Sequence, residues 1–577
     1  MLGRVIATLI GATCLVSPSA AAQTIYPLDR AQMVAGSRFD MKVEFPGSPA
    51  ADKVKITING EDPAKLLGKA PTFAEKEDGY DQSAFWIRGA EIAAPGRYVV
   101  EATAGDAKST VTWTVYNTPP RRARNVILFI GDGMTVAHRT AARMLSKGIK
   151  EGLYGGELAI DSMPAMALIS TAATDTIITD SANSMSAYTT GHKSCNNALG
   201  VYCARNKNSL DHPKVETIGE LVKRRHGLAL GVVTNTEIED ATPAGIVAHT
   251  RRRGDYNDIV RMFFEVQPDV MLGGGTPFFL PADKSGRRTD NIDYVNKFQS
   301  AGYTYATTLT EMRAAVSGGA DKILGLFNNT HIDGALDRRL LKKGTVSRYP
   351  DQPDLVDQTK AALSILSKSE KGFFLMVESG RIDKYSHVLD WERSVYDTIM
   401  LDNAVQAAKD FAGDRNDTLI IVVSDHAHGT AIIGTYDDER PGQLLREKLG
   451  IDTDAGFPNY GQPDAEGYPT TVSVSRRLAF VFAATPDHCA SGKPSLEGSS
   501  LPATPGPDGK SFVANERNCT PGTTRVVGNL PFNVPLGVHA GDDVIATAMG
   551  PGSELVRGHL PNIALFRVMA TALGLGN

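Results

Sequence analysis

Residues 373–387, FFLMVESGRIDKYSH, carry Glu378, Asp383 and His387 just beyond an apolar run. Carboxylates and imidazoles are ligands for divalent cations. If the chain turns helical after Gly380, Asp383 and His387 stand four apart, share one helix face and can hold a single cation. Glu378, at the strand tip, is left for another. An Asp/His pair at this spacing also suits a surface ion pair, so the metal reading depends on partners elsewhere. Three further segments supply them. Asp132 follows NVILFI in the run GDGM, between small residues that let a bulky ligand approach the backbone. Asp425 and His426 follow LIIVV in SDHAH, with His428 placed to orient them. Ser181, in TDSANSMS at 179–186, opens an expected helix whose N-terminus favours negative charge, on an alkoxide or a bound phosphate. Each of these residues alone reads equally as a helix cap. Together, Asp132, Glu378 and Asp425 with His426 occupy three strand ends. Hard ligands without thiolates suit zinc and magnesium, and the carboxylates would repel one another without a cation.

The elements that must gather these residues are legible in the apolar pattern. From Asn125 onward, NVILFI, LALGVVT, DVMLGG, GFFLMV and LIIVVS read as strands buried on both faces, alternating with helical stretches. This predicts an α/β domain over 125–577, with a mostly parallel central sheet and helices on both faces. Right-handed crossovers gather the carboxyl ends of such strands on one edge, where ligands bind. Ahead of it, residues 24–118 alternate apolar and polar in DMKVEF, DKVKITING, RYVVEATAG and STVTWTVY, which predicts a small all-β, immunoglobulin-like sandwich. The PPRRAR of 119–124 reads as a stiff basic linker. A Gly/Pro-rich stretch over about 438–535 interrupts the alternation and is expected to form a surface insertion. AVQAAKDFAG and NIALFRVMATALGL have helical spacing and read as core-covering helices.

Composition narrows the function class. The chain has 577 residues, 42% of them hydrophobic, enough for a large core and more than one domain. Sixty basic against 65 acidic residues give a formal charge of -5, so no specific nucleic-acid binding is expected. Residues 1–22 hold Arg4, an apolar stretch and an AxA arrangement at Ala20 and Ala22, which predicts a signal peptide and a periplasmic or extracellular protein. No later run has about 18 apolar residues, so no membrane span is expected. Cys14 leaves with the signal, and Cys195, Cys203, Cys489 and Cys519 remain. An even number in an oxidising compartment suggests disulfides. Three connectivities are open, of which the local pairs Cys195 with Cys203 and Cys489 with Cys519 are expected. The spacings lack any CxxC knuckle, which argues against a thiolate zinc site.

From about Asn125 to its end the sequence resembles the alkaline phosphatase family. GDGM, TDSA with downstream TTGHK and NALGV, DATPAGIVAH, LGGG, VESGRIDKYSH, SDHAH and VHAGDD occur in the family's order. The resemblance implies Ser181 as a nucleophile that becomes phosphoserine. It implies Asp383, His387 and His539 as ligands of one zinc, and Asp132, Asp425 and His426 as ligands of a second that also contacts Ser181. Asp132, Thr242 and Glu378 would bind magnesium, giving two Zn2+ and one Mg2+ per chain. Within the run Arg251, Arg252 and Arg253, the family's spacing selects Arg253 as the phosphate clamp, whose fork can make two parallel hydrogen bonds to phosphate oxygens. Asp240 and Lys384 take support roles around magnesium and phosphate.

There are two departures from the family pattern. Asn183 and Met185 stand where small residues are usual, and Ser186 where Thr is common. The reaction implied is hydrolysis of small-molecule phosphate monoesters by two in-line displacements, and a homodimer is the usual family assembly. Two rival readings are a phosphodiesterase of the same superfamily and a catalytically inert secreted binding protein. A sulfatase is disfavoured because no CysXProArg or SerXProArg box is found.

Overall fold

The five apolar runs expected as buried strands all form strands of one ten-stranded sheet in the computed structural model, which describes residues 22–576. The signal peptide expected over residues 1–22 lies outside them, but for its last residue. Contacts divide the chain into two compact units. One holds residues up to Ala31 with Asp40–Ala90 and Arg97–Thr114; the other holds Gln32–Phe39, Glu91–Gly96 and everything from Val115 onward.

The smaller unit is built mainly of strands, with a short helix at Pro63–Leu67. Thr24–Tyr26, Arg38–Pro46, Gln82–Glu91 and Thr72–Ala74 lie in that order in one sheet. In a second sheet, Gly96–Ala104 lies between Ala107–Tyr116 and Val54–Ile58. Met41, Val43, Phe45, Ile87, Val100 and Trp113 are fully buried, and the Trp113 indole N–H donates to the Pro27 carbonyl at 2.8 Å. This matches the alternation read from DMKVEF, RYVVEATAG and STVTWTVY. The strand Gln82–Glu91 escaped that reading because Ser83, Ala84, Trp86 and Ile87 are all buried, which blurs the period of two.

In the larger unit the sheet order is Thr304–Ala306, Ile323–Leu326, Val270–Gly274, Ala229–Glu237, Phe373–Ser379, Asn125–Gly131, Thr418–Val423, Val544–Met549, Ala165–Ser170 and Arg557–Pro561. Val544–Met549 runs antiparallel to both neighbours, and the other pairings are parallel. The sheet is covered on both faces, as the double-sided burial of its strands requires. Val126, Leu128 and Ile130 pack with Met185, Tyr188, Ile218, Phe263 and Leu565. Ile127 and Phe129 pack on the opposite side with Leu145, Leu355, Val395 and Ile399. The two segments with helical spacing lie in Trp391–Ala412 and Ile563–Leu573.

Two expectations change. Residues 119–124, expected as a stiff basic linker, group with the larger unit, where the N–H groups of Arg122 and Ala123 both donate to the Ala572 carbonyl at 2.9 Å. The stretch 438–535 is only partly superficial. Its strand Arg476–Phe482 pairs with Thr430–Asp437, and Tyr460, Tyr468, Leu478 and Phe480 enter the core, with Phe480 stacked on Trp391 at 5.6 Å. High Gly and Pro content disguised these apolar anchors. Both local disulfides, Cys195–Cys203 and Cys489–Cys519, are formed. Among the described residues no helix is long and apolar enough to cross a membrane.

Candidate active site and metal centre

Register brings the polar strand ends together. Glu378 pairs with Ile130 on one side and Thr234 on the other, and Val423 also pairs with Ile130. Asp132 and Asp425 therefore emerge from neighbouring strands at the same edge. Gly133 follows Asp132 at φ +65°, and a Cβ there would stand 2.7 Å from His428 Cδ2 and 3.3 Å from Asp383 Cβ. Only glycine gives the backbone both that conformation and that proximity.

Asp383 is the hub. It lies on the short helix Arg381–His387, with its Oδ1 at 2.7 Å from His428 Nε2, 3.2 Å from His387 Nε2 and 3.4 Å from His539 Nε2. The Nε2 atoms of His387 and His539 stand 3.1 Å apart. Each ring is oriented from its far side: His387 Nδ1 meets the Gly537 carbonyl at 2.6 Å, and His539 Nδ1 meets the Thr179 carbonyl at 2.9 Å. This is the arrangement by which proteins point an imidazole Nε2 at a cation. His539 reaches the cluster on the two-residue strand His539–Ala540, paired with Ala427–His428.

A second focus surrounds His426. Its Nε2 is 3.3 Å from Asp132 Oδ1, 3.4 Å from Asp425 Oδ2, 4.0 Å from Asp383 Oδ1 and 3.3 Å from Ser181 Oγ. Asp132 Oδ1 and Asp425 Oδ2 are buried without a hydrogen-bond partner. Burial, with Asp383, Asp425 and Glu378 adding to it, raises Asp132 well above the ordinary carboxylate range. Burial likewise raises Asp425 and pushes Glu378 up to about 7. Burial acts the same way on Asp383, but the charge of His387 and bonds from three histidines outweigh it and hold the group well below its usual value. Buried carboxylates of this density with orphaned oxygens call for a cation, and oxygen and nitrogen donors without sulfur suit zinc and magnesium. The residues present thus fit the expected metals.

Glu378 is held by two hydroxyls that the sequence reading missed. Thr234 Oγ1 donates to Glu378 Oε2, and Thr236 Oγ1 donates to the same oxygen at 3.0 Å. Their spacing of two on one strand was the available signal. Thr242 is buried on the short helix Ala241–Ala244, which packs against the strands Ala229–Glu237 and Phe373–Ser379. Asp240 caps that helix, takes Arg253 Nη2 at 2.8 Å on Oδ1 and faces Lys384 Nζ at 3.1 Å through Oδ2. Arg253 Nη1 also donates to Asp180 Oδ2 at 3.2 Å. Burial opposes the charges of Lys384 and Arg253, but the facing carboxylates outweigh it and keep both cationic.

Ser181 is the first residue of the helix Ser181–Thr190, capped by the Asp180 side chain on the Asn183 N–H at 3.1 Å and ended by Gly191 in the left-handed conformation. Ser184 Oγ donates to the Asp425 carbonyl at 2.5 Å and Tyr188 OH to the Ser424 carbonyl at 2.7 Å, which locks the helix to the segment that carries His426. The unusual residues behind Ser181 all have partners. Met185 packs over Gly245, where a Cβ would stand 2.6 Å from Met185 Cβ. Ser186 Oγ donates to the Ala198 carbonyl at 3.0 Å, and Asn183 Oδ1 accepts the Ser194 N–H at 2.9 Å.

Comparison with known proteins places the chain among relatives. A family model described as alkaline phosphatase matches residues 123–452. Alkaline phosphatase of Escherichia coli (strain K12) is 32% identical over 434 residues, covering 68% of this chain and 87% of the relative. Streptomycin-6-phosphate phosphatase of Streptomyces griseus is 32% identical over 400 residues, covering 62% and 84%. Among solved structures, the alkaline phosphatase of Thermus thermophilus shares the fold with a TM-score of 0.55 at 23% identity, over 80% of this chain and 93% of that one. The enzyme from the Antarctic bacterium TAB5 does so with a TM-score of 0.51 at 21% identity, over 78% and 98%.

Proposed function

The chain belongs to the alkaline phosphatase family and is a phosphoric monoester hydrolase of it, and we propose that it cleaves small-molecule phosphate monoesters through a phosphoserine at Ser181, beside two zinc ions and one magnesium ion. The observation that carries this reading is Ser181 Oγ at 3.3 Å from His426 Nε2, next to buried carboxylates with unpaired oxygens. Asp383, His387 and His539 would hold one zinc, and Asp132, Asp425 and His426 the second. Asp132, Thr242 and Glu378 would hold magnesium. Bound there, these cations supply Lewis acidity, which lowers hydroxyl and water pKa values and offsets charge on oxygens entering and leaving phosphorus.

The chain's own residues then do the rest. Arg253, anchored by Asp180 and Asp240, keeps further N–H donors for phosphate oxygens and fixes phosphorus in front of the nucleophile. Ser181 Oγ releases its proton to solvent and attacks in line; its bond to phosphorus forms as the ester P–O bond breaks, and the departing oxygen takes up a proton from solvent. The helix that Ser181 opens offers its positive end to the charge that develops there. Water attacks phosphoserine from the side the alcohol has left, phosphate departs and Ser181 regains its proton. Two inversions leave the configuration at phosphorus retained. Lys384, beside Asp240, adds positive charge at the same rim. The two disulfides support placement in a periplasm or outside the cell.

The test is hydrolysis of a chromogenic phosphate monoester by purified protein before chelation, after it, and after zinc and magnesium are returned, with a diester in parallel. Loss on chelation, recovery on return and preference for the monoester are expected. A folded, metal-loaded protein that ignores the monoester or favours the diester would overturn the reading.

A further inference from the structure

Ahead of Ser181, the segment Ile178–Asp180 serves three parts of the site at once. The Thr179 carbonyl orients His539 through Nδ1 at 2.9 Å. The Asp180 carboxylate caps the nucleophile helix and takes Arg253 Nη1 at 3.2 Å. Ser181 follows directly. The segment lies in a loop, so its placement must come from contacts outside itself.

Those contacts converge on Asn196. Its side-chain amide uses both ends on the segment: Oδ1 accepts the Asp180 N–H at 3.2 Å, and Nδ2 donates to the Ile178 carbonyl at 3.2 Å. This is a strand-like pairing made by one side chain. The main chain of Asn196 is tied as well. Its N–H donates to Asp175 Oδ1 at 3.1 Å, and its carbonyl accepts Arg251 Nη1 at 2.9 Å. One residue on, Asn197 adopts φ 66°, a conformation that Asn tolerates, and its carbonyl accepts the Arg253 N–H at 2.8 Å.

The segment around Asn196 is cross-linked. Cys195 is joined to Cys203. Leu199 and Thr250 exchange N–H···O bonds at 2.8 and 2.9 Å, and Gly200 N–H donates to Ser186 Oγ at 2.9 Å. Asn183 completes the frame, with Nδ2 on Thr179 Oγ1 at 2.7 Å and Oδ1 on the Ser194 N–H. The polar residues that depart from the family pattern behind Ser181 are thus the ones that bond this loop.

We propose that Asn196 is a positioning residue that sets Ser181, His539 and Arg253 relative to one another by pairing with Ile178 and Asp180. Removing its amide leaves the Asp180 N–H and the Ile178 carbonyl without their partner and frees the segment to shift, and a displacement of about 1 Å in a phosphate-binding constellation costs up to about a hundredfold in rate. The inference rests on the phosphomonoesterase reading above. Asn196→Ala in the full, metal-loaded chain is expected to lower kcat/KM for a chromogenic monoester by between about tenfold and a hundredfold, with the inhibition constant for inorganic phosphate raised about tenfold or more. Melting temperature is measured in parallel. A merely structural role would lower the melting temperature and the active fraction, yet leave KM and phosphate inhibition of the remaining enzyme unchanged. Should Asn196→Ala fail to fold, Asn196→Asp provides the readout, since it keeps an acceptor for Asp180 but loses the donor to Ile178; phosphate inhibition is again expected to weaken. An active wild type matched by these variants in KM and phosphate inhibition overturns the inference alone. A metal-loaded wild type without monoesterase activity overturns the functional reading and this inference with it.

Discussion

Ser181→Ala deletes the oxygen that stands 3.3 Å from His426 Nε2 while leaving every proposed metal ligand in place. It is expected to cut kcat by ~1,000-fold or more with zinc content unchanged, checked by steady-state assay and elemental analysis on the same sample. Arg253→Ala is expected to cost about 2–4 kcal/mol of transition-state stabilisation and to weaken phosphate inhibition, again with metals retained. The run Arg251–Arg253 left the clamp ambiguous by residue type. In the structure Arg251 is bound to the Asn196 carbonyl, while Arg253 stands between Asp180 and Asp240. At this scale the Asp, Glu and His residues that the structure brings together were legible, since they follow apolar runs that end at one sheet edge. Thr234, Thr236 and Asn196 were not, because hydroxyls and amides are ordinary in strands and loops, and only tertiary contact reveals what they hold.

Each parallel strand announced itself by an apolar run, and register did the rest. Ser181–Thr190 shows no clean apolar stripe because all ten of its residues are buried, so periodicity could place its start through Asp180 and Ser181 but not its packing. His539–Ala540 is two residues long and exists through its pairing with Ala427–His428, which no local pattern encodes. The long helix Trp391–Ala412 carries a testable burden of burial. Its Glu392 accepts Tyr460 OH at 2.8 Å on Oε1, while Oε2 is buried without a partner. Burial chiefly, then Asp390, pushes this carboxyl up to about 8. A folded pKa above the unfolded value of about 4.3 means the folded chain holds the proton more tightly. The stability it contributes is therefore complete below about pH 4 and is lost as pH rises through about 8. Glu392→Gln is expected to flatten the fall in unfolding free energy over that window by up to about 1.4 kcal/mol per pH unit, measured by denaturant titration at several pH values. Parallel pH profiles for the two proteins would contradict it.

At the scale of the whole molecule, an α/β enzyme unit preceded by a unit built mainly of strands was legible from the change of period near Asn125, but the division between them was not. Gln32–Phe39 and Glu91–Gly96 group with the larger unit, where the Gly36 carbonyl accepts Arg224 Nη2 at 2.8 Å and the Arg38 N–H donates to Glu216 Oε2 at 2.9 Å. Deleting residues 24–118 is therefore expected to lower the melting temperature of the remaining chain by several degrees, since buried polar groups lose their partners; an unchanged transition in calorimetry would show that these bonds contribute nothing. Chelation should destabilise the intact chain too, because Asp132, Asp383, Asp425 and Glu378 are then left to repel one another. The central claim is that these carboxylates and histidines make Ser181 the attacking group. Acid quenching of metal-loaded protein during turnover of a phosphate monoester, followed by peptide mass spectrometry, tests it most directly. Phosphate on Ser181, absent when the metals are first removed, is the predicted result; steady turnover with Ser181 never phosphorylated would contradict the account.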